Sequence, residues 1–120
     1  MSQSNVELAR RGYEAVLRGD LDAIKELLDP DVKWHGGDPS AEWACHNREE
    51  ALAFMRRPER RGPGELVDVI DAGDKVVVIM KPADAPDELA ANVTTVRDGK
   101  VVEMIHFASA ADALAAVGHA

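Results

Sequence analysis

Histidine is the residue type in this sequence best suited to proton transfer, because its unperturbed pKa of about 6.5 lies close to neutral pH. His106 lies in a run of strand-forming residues, His35 ends a short alternating segment, and His46 comes just before a helix signal. Two interpretations of His106 stay open: proton transfer within a pocket, or a neutral histidine hydrogen-bonded in a pocket or core without turnover. For His35 the alternative is a solvent-facing loop edge, and for His46 a structural role is expected.

The other reactive groups in the sequence indicate little further chemistry. Cys45 is the single cysteine, which excludes an intramolecular disulfide and any multi-cysteine metal site; we expect a small buried or half-buried thiol. Metal-ligating residue types occur at His35, Asp38, His46 and His106. None of them forms a ligand pair on one helical face, and neither a glycine-rich phosphate loop nor a nucleophile elbow is present. We therefore expect no metal and no cofactor.

Helical periodicity dominates the first third of the chain. An apolar stripe of Val6, Ala9, Tyr13, Val16 and Leu17 predicts a helix over residues 5–18. Gly19 is typical of a helix end, and Asp20 can cap a second short helix that runs to the Asp-Pro-Asp sequence at 29–31. A capping-box pattern at 47–50 predicts a third helix, which Pro58 ends.

Strand patterns follow, and they position the candidate groups. Strands are predicted at 32–35, 66–70, 76–80, 89–97 and 101–107, and a short helix at 110–117. Asp98-Gly99 is the strongest hairpin signal. Strict alternation on the last strand places Met104 and His106 on one face, with Val101 and Glu103 on the other. The order of elements predicts an α+β fold with an antiparallel sheet.

Length and composition narrow the class of protein. At 120 residues and 13.0 kDa, with 46% hydrophobic residues, the chain is expected to form a single domain over 1–120. Lys and Arg number 14 and Asp and Glu 22, a formal net charge of −8 that disfavours nucleic acid and anionic membranes as partners. No apolar stretch is long enough to span a bilayer and the start is polar, so a cytoplasmic protein is expected.

Taken in order, several short segments resemble the SnoaL-like group of the nuclear transport factor 2-like superfamily, which also contains the ketosteroid isomerases. The segments are Tyr13, GDLDAI at 19–24, DVKWHG at 31–36, HNRE at 46–49 and VRDGKV at 96–101. The resemblance covers nearly the whole chain. It implies a cone-shaped, curved antiparallel sheet of the cystatin-like type wrapped around the N-terminal helices, a cavity at the wide end, and a homodimer.

The resemblance also implies candidate catalytic residues. In the ketosteroid isomerase pattern a tyrosine of the first helix and an acid on a late strand form an oxyanion hole; these positions fall on Tyr13 and Asn92. An asparagine amide still donates a hydrogen bond, so the pair can polarise a carbonyl. The aspartate that moves the proton falls on Gly36, which cannot do so. Asp38, His35 and His106 are the remaining candidates for the base.

A ligand cavity is the second implication, and it leaves three functions open. Its expected walls are Trp34, Trp43, Phe54, Met80, Thr94 and Met104. The protein is expected to bind a small hydrophobic or mixed-polarity molecule, and either to isomerise or cyclise it next to a carbonyl, or to bind it without turnover. A third hypothesis makes the outer sheet face, with Ile105 and Phe107, a partner surface. The arginines at 56, 57, 60 and 61 are either a solvated helix end or an anion-binding lip.

Overall fold

The computed structural model describes residues 2–36, 40, 44–55, 65–81 and 88–118. Asp38, Trp43 and the arginines at 56, 57, 60 and 61 lie outside the described residues. The helices are α1 (Ser2–Arg18), α2 (Leu21–Leu27), α3 (Arg48–Met55) and α4 (Ala110–Ala116). The strands are β1 (Leu28–His35), β2 (Glu65–Ala72), β3 (Lys75–Lys81), β4 (Ala90–Arg97) and β5 (Lys100–Phe107).

The helix boundaries follow the local signals in the sequence. Gly19 ends α1 with a φ of +71°, a conformation that glycine adopts without strain. The Asp20 side chain accepts a hydrogen bond from the backbone N–H of Ala23 at 3.2 Å and so caps α2. At α3, Asn47 accepts from the backbone N–H of Glu50 at 2.9 Å, as the capping box predicts.

The five strands form one sheet in the order β1-β5-β4-β3-β2. Strands β2 to β5 are antiparallel neighbours, and the Asp98-Gly99 turn between β4 and β5 has both residues at positive φ, as predicted. Strand β1 pairs with β5 in parallel, so the sheet is mixed. More than sixty residues separate these two strands, and no hairpin imposes an antiparallel pairing on them. The α+β fold class is confirmed, including the short C-terminal helix.

A bulge in β5 changes which residues share a face. Thr94 pairs with Met104, and Val96 pairs with Val101, so one residue of β5 is extra between the two pairs. Thr94 and Val96 lie on the same face of β4, so Val101 lies on the same face as Met104. The strict alternation expected for this strand is therefore wrong at Val101.

Two hydrophobic layers cover the sheet. The inner face packs against α1 and α2, through clusters that include Leu8, Ala15, Tyr13 and Trp34. The outer face packs against α4, with Val77, Ala91 and Ala113 completely buried. The predicted α1 stripe needs one correction, because Leu17 is 53% exposed while Leu8 and Ala15 are buried. None of the helices described is long and apolar enough to cross a membrane.

Candidate functional site

A cavity of about 100 Å³ lies between α1, α2 and the inner face of the sheet. From the helices and β1 it is lined by Leu8, Ala9, Gly12, Tyr13, Val16, Ile24, Leu27, Leu28 and Trp34. From the rest of the sheet it is lined by Val78, Asn92, Thr94, Val101 and Met104. These fourteen residues include no Asp, Glu, His, Lys or Arg. The wall is apolar, with a few neutral hydrogen-bonding groups, as is usual in sites for small organic molecules.

Asn92 is the polar residue at the centre of the sheet wall. On the ladder it pairs with Val78 of β3 on one side and with His106 of β5 on the other. The Asn92 Oδ1 atom lies 3.2 Å from His106 Nδ1. An amide oxygen only accepts, so His106 donates through a protonated Nδ1. This bond sets the orientation of the amide, whose NH₂ group is the hydrogen-bond donor that Asn92 brings to the cavity wall.

Four other predicted site residues also line this cavity: Tyr13, Trp34, Thr94 and Met104. Tyr13 is 7% exposed and packs in a cluster that includes Val78 and Met80. Thr94 and Met104 face each other across β4 and β5, and Trp34 lies beside Met104 on β1. The elements that carry Tyr13 and Asn92, α1 and β4, thus bring both residues to one cavity.

Phe54 and Met80 support the lining residues from behind. The Phe54 ring meets the Trp34 ring edge to face, with centroids 5.1 Å apart, which holds the indole against the cavity. Met80 is buried in the same cluster as Tyr13. Neither side chain is part of the cavity wall. Their role, as the structure places them, is to position two residues that are.

His106 lies at the margin of the site and is exposed. The reason is that β1 ends early: its register pairs His35 with Ile105, and the strand stops there. Gly36 follows the strand as a bend and has no side chain that could cover the imidazole. His106 therefore contacts the cavity indirectly, through Asn92, and does not line it.

His35 lies on the opposite face of the sheet. It is 5% exposed, and its Nε2 donates to Glu103 Oε2 at 3.1 Å. Trp34, its neighbour in β1, faces the cavity, so strand alternation directs His35 away from it. The bend at Gly36 does not turn this imidazole toward the cavity. His35 and His106, both expected as candidates for the base, are thus not brought together.

Several lining residues were missed from the sequence. Gly12, Leu8 and Leu27 lie where α1 and α2 border the cavity, and Val101 reaches it only because of the β5 bulge. The sequence did contain a signal for Gly12. A glycine inside a strong helical pattern destabilises the helix, and such a glycine usually has a packing or functional role. The bulge left no comparable signal, since Val101 and Val102 are both strand formers.

His46 and Cys45 belong to structural contacts near α3. Glu50 Oε1 accepts hydrogen bonds from the His46 backbone N–H at 2.8 Å and from its Nδ1 at 3.1 Å. These bonds, the backbone one first, hold the pKa of Glu50 below its usual value. Cys45 is buried and pairs with Trp34 through a backbone bridge. Within the part of the chain that the structure describes, no three His, Cys, Asp or Glu side chains form a potential metal site.

A comparison with known protein families shows to which family this chain belongs. The model of the SnoaL-like domain family matches residues 9–104, a range that runs from α1 to Met104 and includes all the cavity-lining residues given above except Leu8. The chain belongs to the SnoaL-like domain family. No curated protein matches this SnoaL-like chain.

Solved structures agree with this assignment at the level of the fold. Bal32a, from a soil-derived mobile gene cassette, is 26% identical with a TM-score of 0.73, and 88% of each chain is covered. A provisionally named ketosteroid isomerase from Kribbella flavida DSM 17836 is 20% identical (TM-score 0.69), with 88% of this chain and 78% of that chain covered. A provisionally named polyketide cyclase from Sinorhizobium meliloti is 19% identical (TM-score 0.67), with 83% and 93% covered.

Proposed function

We propose that this SnoaL-like protein binds a small organic molecule in the inner cavity through a carbonyl oxygen and catalyses isomerisation or cyclisation next to that carbonyl. The observation that carries the proposal is the Asn92–His106 pair. A half-buried amide lines an apolar cavity, and a histidine holds that amide by its oxygen at 3.2 Å. A hydrogen-bond donor of the wall is thereby coupled to an imidazole, a side chain type suited to proton transfer, at the margin of the cavity.

The first role belongs to the two donors. When a proton leaves the carbon next to a carbonyl, negative charge develops on the carbonyl oxygen. The Asn92 NH₂ group and the Tyr13 hydroxyl are neutral donors whose residues line the same apolar cavity. Donors in such a low-dielectric site stabilise an oxyanion more than water does, because they are oriented before the charge forms. Neither group needs to change its protonation state to act.

The second role, proton transfer, falls to His106. With the proton on Nδ1, the basic nitrogen of the neutral ring is Nε2. Among the positions that resemble the ketosteroid isomerase pattern, Gly36 stands where the aspartate base is expected. Gly36 directly follows His35, the last residue of β1, and His106 directly follows Ile105, which pairs with His35. We infer that His106 supplies from β5 the base that β1 lacks. Of the other candidates for the base, Asp38 lies outside the described residues, and His35 lies on the far face.

A second function is favoured by one specific observation, the lack of any Asp, Glu, His, Lys or Arg among the lining residues that the structure describes. A cavity whose described lining offers donors but no base is suited to binding a carbonyl compound without turnover. The same residues would then act as a recognition site. In either case we propose a homodimer located in the cytoplasm and a ligand that is neither nucleic acid nor membrane lipid.

Hydrogen–deuterium exchange tests catalysis without knowledge of the natural substrate. Cyclohex-2-en-1-one is incubated with the protein in D₂O, and NMR follows loss of the protons activated by the carbonyl. We expect exchange above that of imidazole at equal concentration. His106→Gln should slow the enzymatic exchange by about 10²–10⁴-fold, as for loss of a general base. Asn92→Leu should slow it by about 10²–10³-fold, as for loss of an oxyanion donor.

The control is His46→Gln, which removes an exposed histidine bonded to Glu50 and should leave the exchange rate unchanged. If the wild type does not exceed imidazole but still binds the enone, and Asn92→Leu weakens that binding, the non-catalytic function replaces the catalytic one. If Asn92→Leu alters neither exchange nor binding, the carbonyl site itself is refuted.

A further inference from the structure

Gly12 lies in the interior of α1, where a glycine lowers helix stability relative to alanine. Its backbone does not require glycine, since the glycines with positive φ in the described chain are Gly19, Gly73, Gly99 and Gly118. The backbone conformation therefore does not explain why α1 contains this destabilising glycine.

Close packing does not require a glycine at position 12 either. A Cβ atom built on Gly12 would lie 3.5 Å from Leu27 Cδ1, an ordinary van der Waals contact with a side chain that can adjust. This is the one neighbour found within 4 Å among the described residues outside the helix's own backbone. An alanine would fit between α1 and α2 without displacing either helix. The alanine methyl group would occupy space beside Leu27. Both Leu27 and Gly12 line the cavity.

We propose that Gly12 determines ligand size, and that the cavity takes an uncharged molecule with the bulk of a single ring. This inference rests on the proposed function, because it assumes that the ligand enters the inner cavity. The missing side chain of Gly12 keeps open the helical side of the cavity, opposite the wall that holds Asn92. A methyl group added there reduces the volume without touching the polar groups.

The size limit follows from the volume. The cavity measures about 100 Å³. An engineered cavity of about 150 Å³ in another protein binds benzene, whereas sites for drug-sized ligands span about 300–1,000 Å³. This cavity is smaller than the one that binds benzene, but it opens to solvent on one side, so one six-membered ring with a carbonyl is the upper limit and would fit with part of the ring at the opening. A fused polycyclic ligand would require the helices to move away from the sheet.

The charge limit follows from the lining. None of the described lining residues carries a full charge, so an ionised ligand would lose its hydration without gaining a partner among them. The net charge of −8 on the protein further disfavours anions. The neutral amide of Asn92 instead matches a neutral acceptor oxygen.

The experiment is an NMR titration with ketones of graded size: cyclohex-2-en-1-one, 1-tetralone and a four-ring steroid enone, with cyclohexanecarboxylate as the charged probe. We expect the one-ring ketone to bind at least tenfold more tightly than each of the others. Gly12→Ala should weaken its binding by about tenfold, the usual effect of one methylene-sized change in an apolar pocket. The same variant should raise the Tm by about 2–5 °C, because an alanine stabilises the helix interior.

Leu17→Ala is the control, since Leu17 is exposed on the same helix and does not line the cavity. It should leave the affinity for the one-ring ketone unchanged. Equal affinity for the larger or charged probes, or a Gly12→Ala variant that binds like the wild type, overturns the inference. A separate result bears on the proposed function: if Asn92→Leu binds the one-ring ketone as well as the wild type does while Gly12→Ala does not, the size limit stands and the carbonyl site is refuted.

Discussion

The two faces of the sheet differ in how completely the helices cover them. On the outer face, α4 packs against the sheet in a cluster in which Val77, Ala91 and Ala113 are completely buried. On the inner face, α1 and α2 meet the sheet through larger side chains and enclose a cavity of about 100 Å³. The same strands thus form a closely packed layer on one side and an incompletely filled one on the other. The unfilled side is where ligand binding is to be sought.

Each face also carries a histidine, and the comparison shows that burial does not identify the functional one. His35 is 5% exposed and paired with a carboxylate on the closed face, whereas His106 is exposed and paired with an amide on the face that contains the cavity. Burial of His35 reflects packing of β1 against β5. The position of His106 reflects where β1 ends.

Truncation of neighbouring valines is expected to give the largest effect and tests the packing difference directly. Val77 and Val78 are the same residue type on the same strand, but Val77 faces α4 while Val78 lines the cavity. Val77→Ala should lower the free energy of unfolding by about 2–3 kcal/mol, and Val78→Ala by about 1 kcal/mol, because Val78 already borders space that makes no contacts. Urea unfolding with an unchanged m-value provides the measurement. Equal losses would contradict the difference in packing.

The two histidines should differ in a similar way, with a somewhat smaller effect. His35→Ala removes a hydrogen bond between a buried imidazole and the partly exposed carboxylate of Glu103, and should cost about 2 kcal/mol of unfolding free energy. His106→Ala changes an exposed side chain and should stay within about 0.5 kcal/mol of the wild type. Thermal or urea unfolding of both variants checks this. A His106→Ala variant as unstable as His35→Ala would make His106 a structural residue.

The smallest effect is expected at Glu50, whose partner is the exposed His46. Its contribution to stability should depend on pH, and this distinguishes it from the His35–Glu103 pair. The hydrogen bond from the His46 backbone lowers the pKa of Glu50 below its usual 4.5 in the folded state. Its contribution to stability is therefore complete above pH 4.5 and is lost as the pH falls through the lowered pKa. Glu50→Gln should be less stable than the wild type at pH 7, and the gap should narrow at pH 3.5. A constant gap at both values would show that ionisation of Glu50 does not matter.

Features with local causes could be predicted from the sequence. The end of α1 at Gly19, the caps at Asp20 and Asn47, and the Asp98-Gly99 turn each depend on a few adjacent residues, and each is found as expected. The fold class follows from the order of such elements together with the family resemblance. The extended start of β1 at Leu28 was missed, because apolar residues that end a helix and begin a strand look alike.

The site was predicted less completely, because its geometry depends on distant parts of the chain. Tyr13, Asn92 and Thr94 were expected near one cavity, and they line it. That His106 would be exposed could not be inferred, since it depends on β1 pairing with β5 in parallel and ending one residue too early to cover it. Gly12 was overlooked because it contributes no side chain to a hydrophobic pattern.

The extra residue in β5 has a consequence for the shape of the binding wall. If Val102 were absent, Val96 could still pair with Val101, and Thr95 with Glu103. No backbone pair of the hairpin therefore depends on Val102. An inserted residue of this kind bends and twists the ribbon formed by β4 and β5. The length of this one hairpin can thus change the curvature of the sheet around the cavity. The side chains that would contact a ligand stay chemically the same.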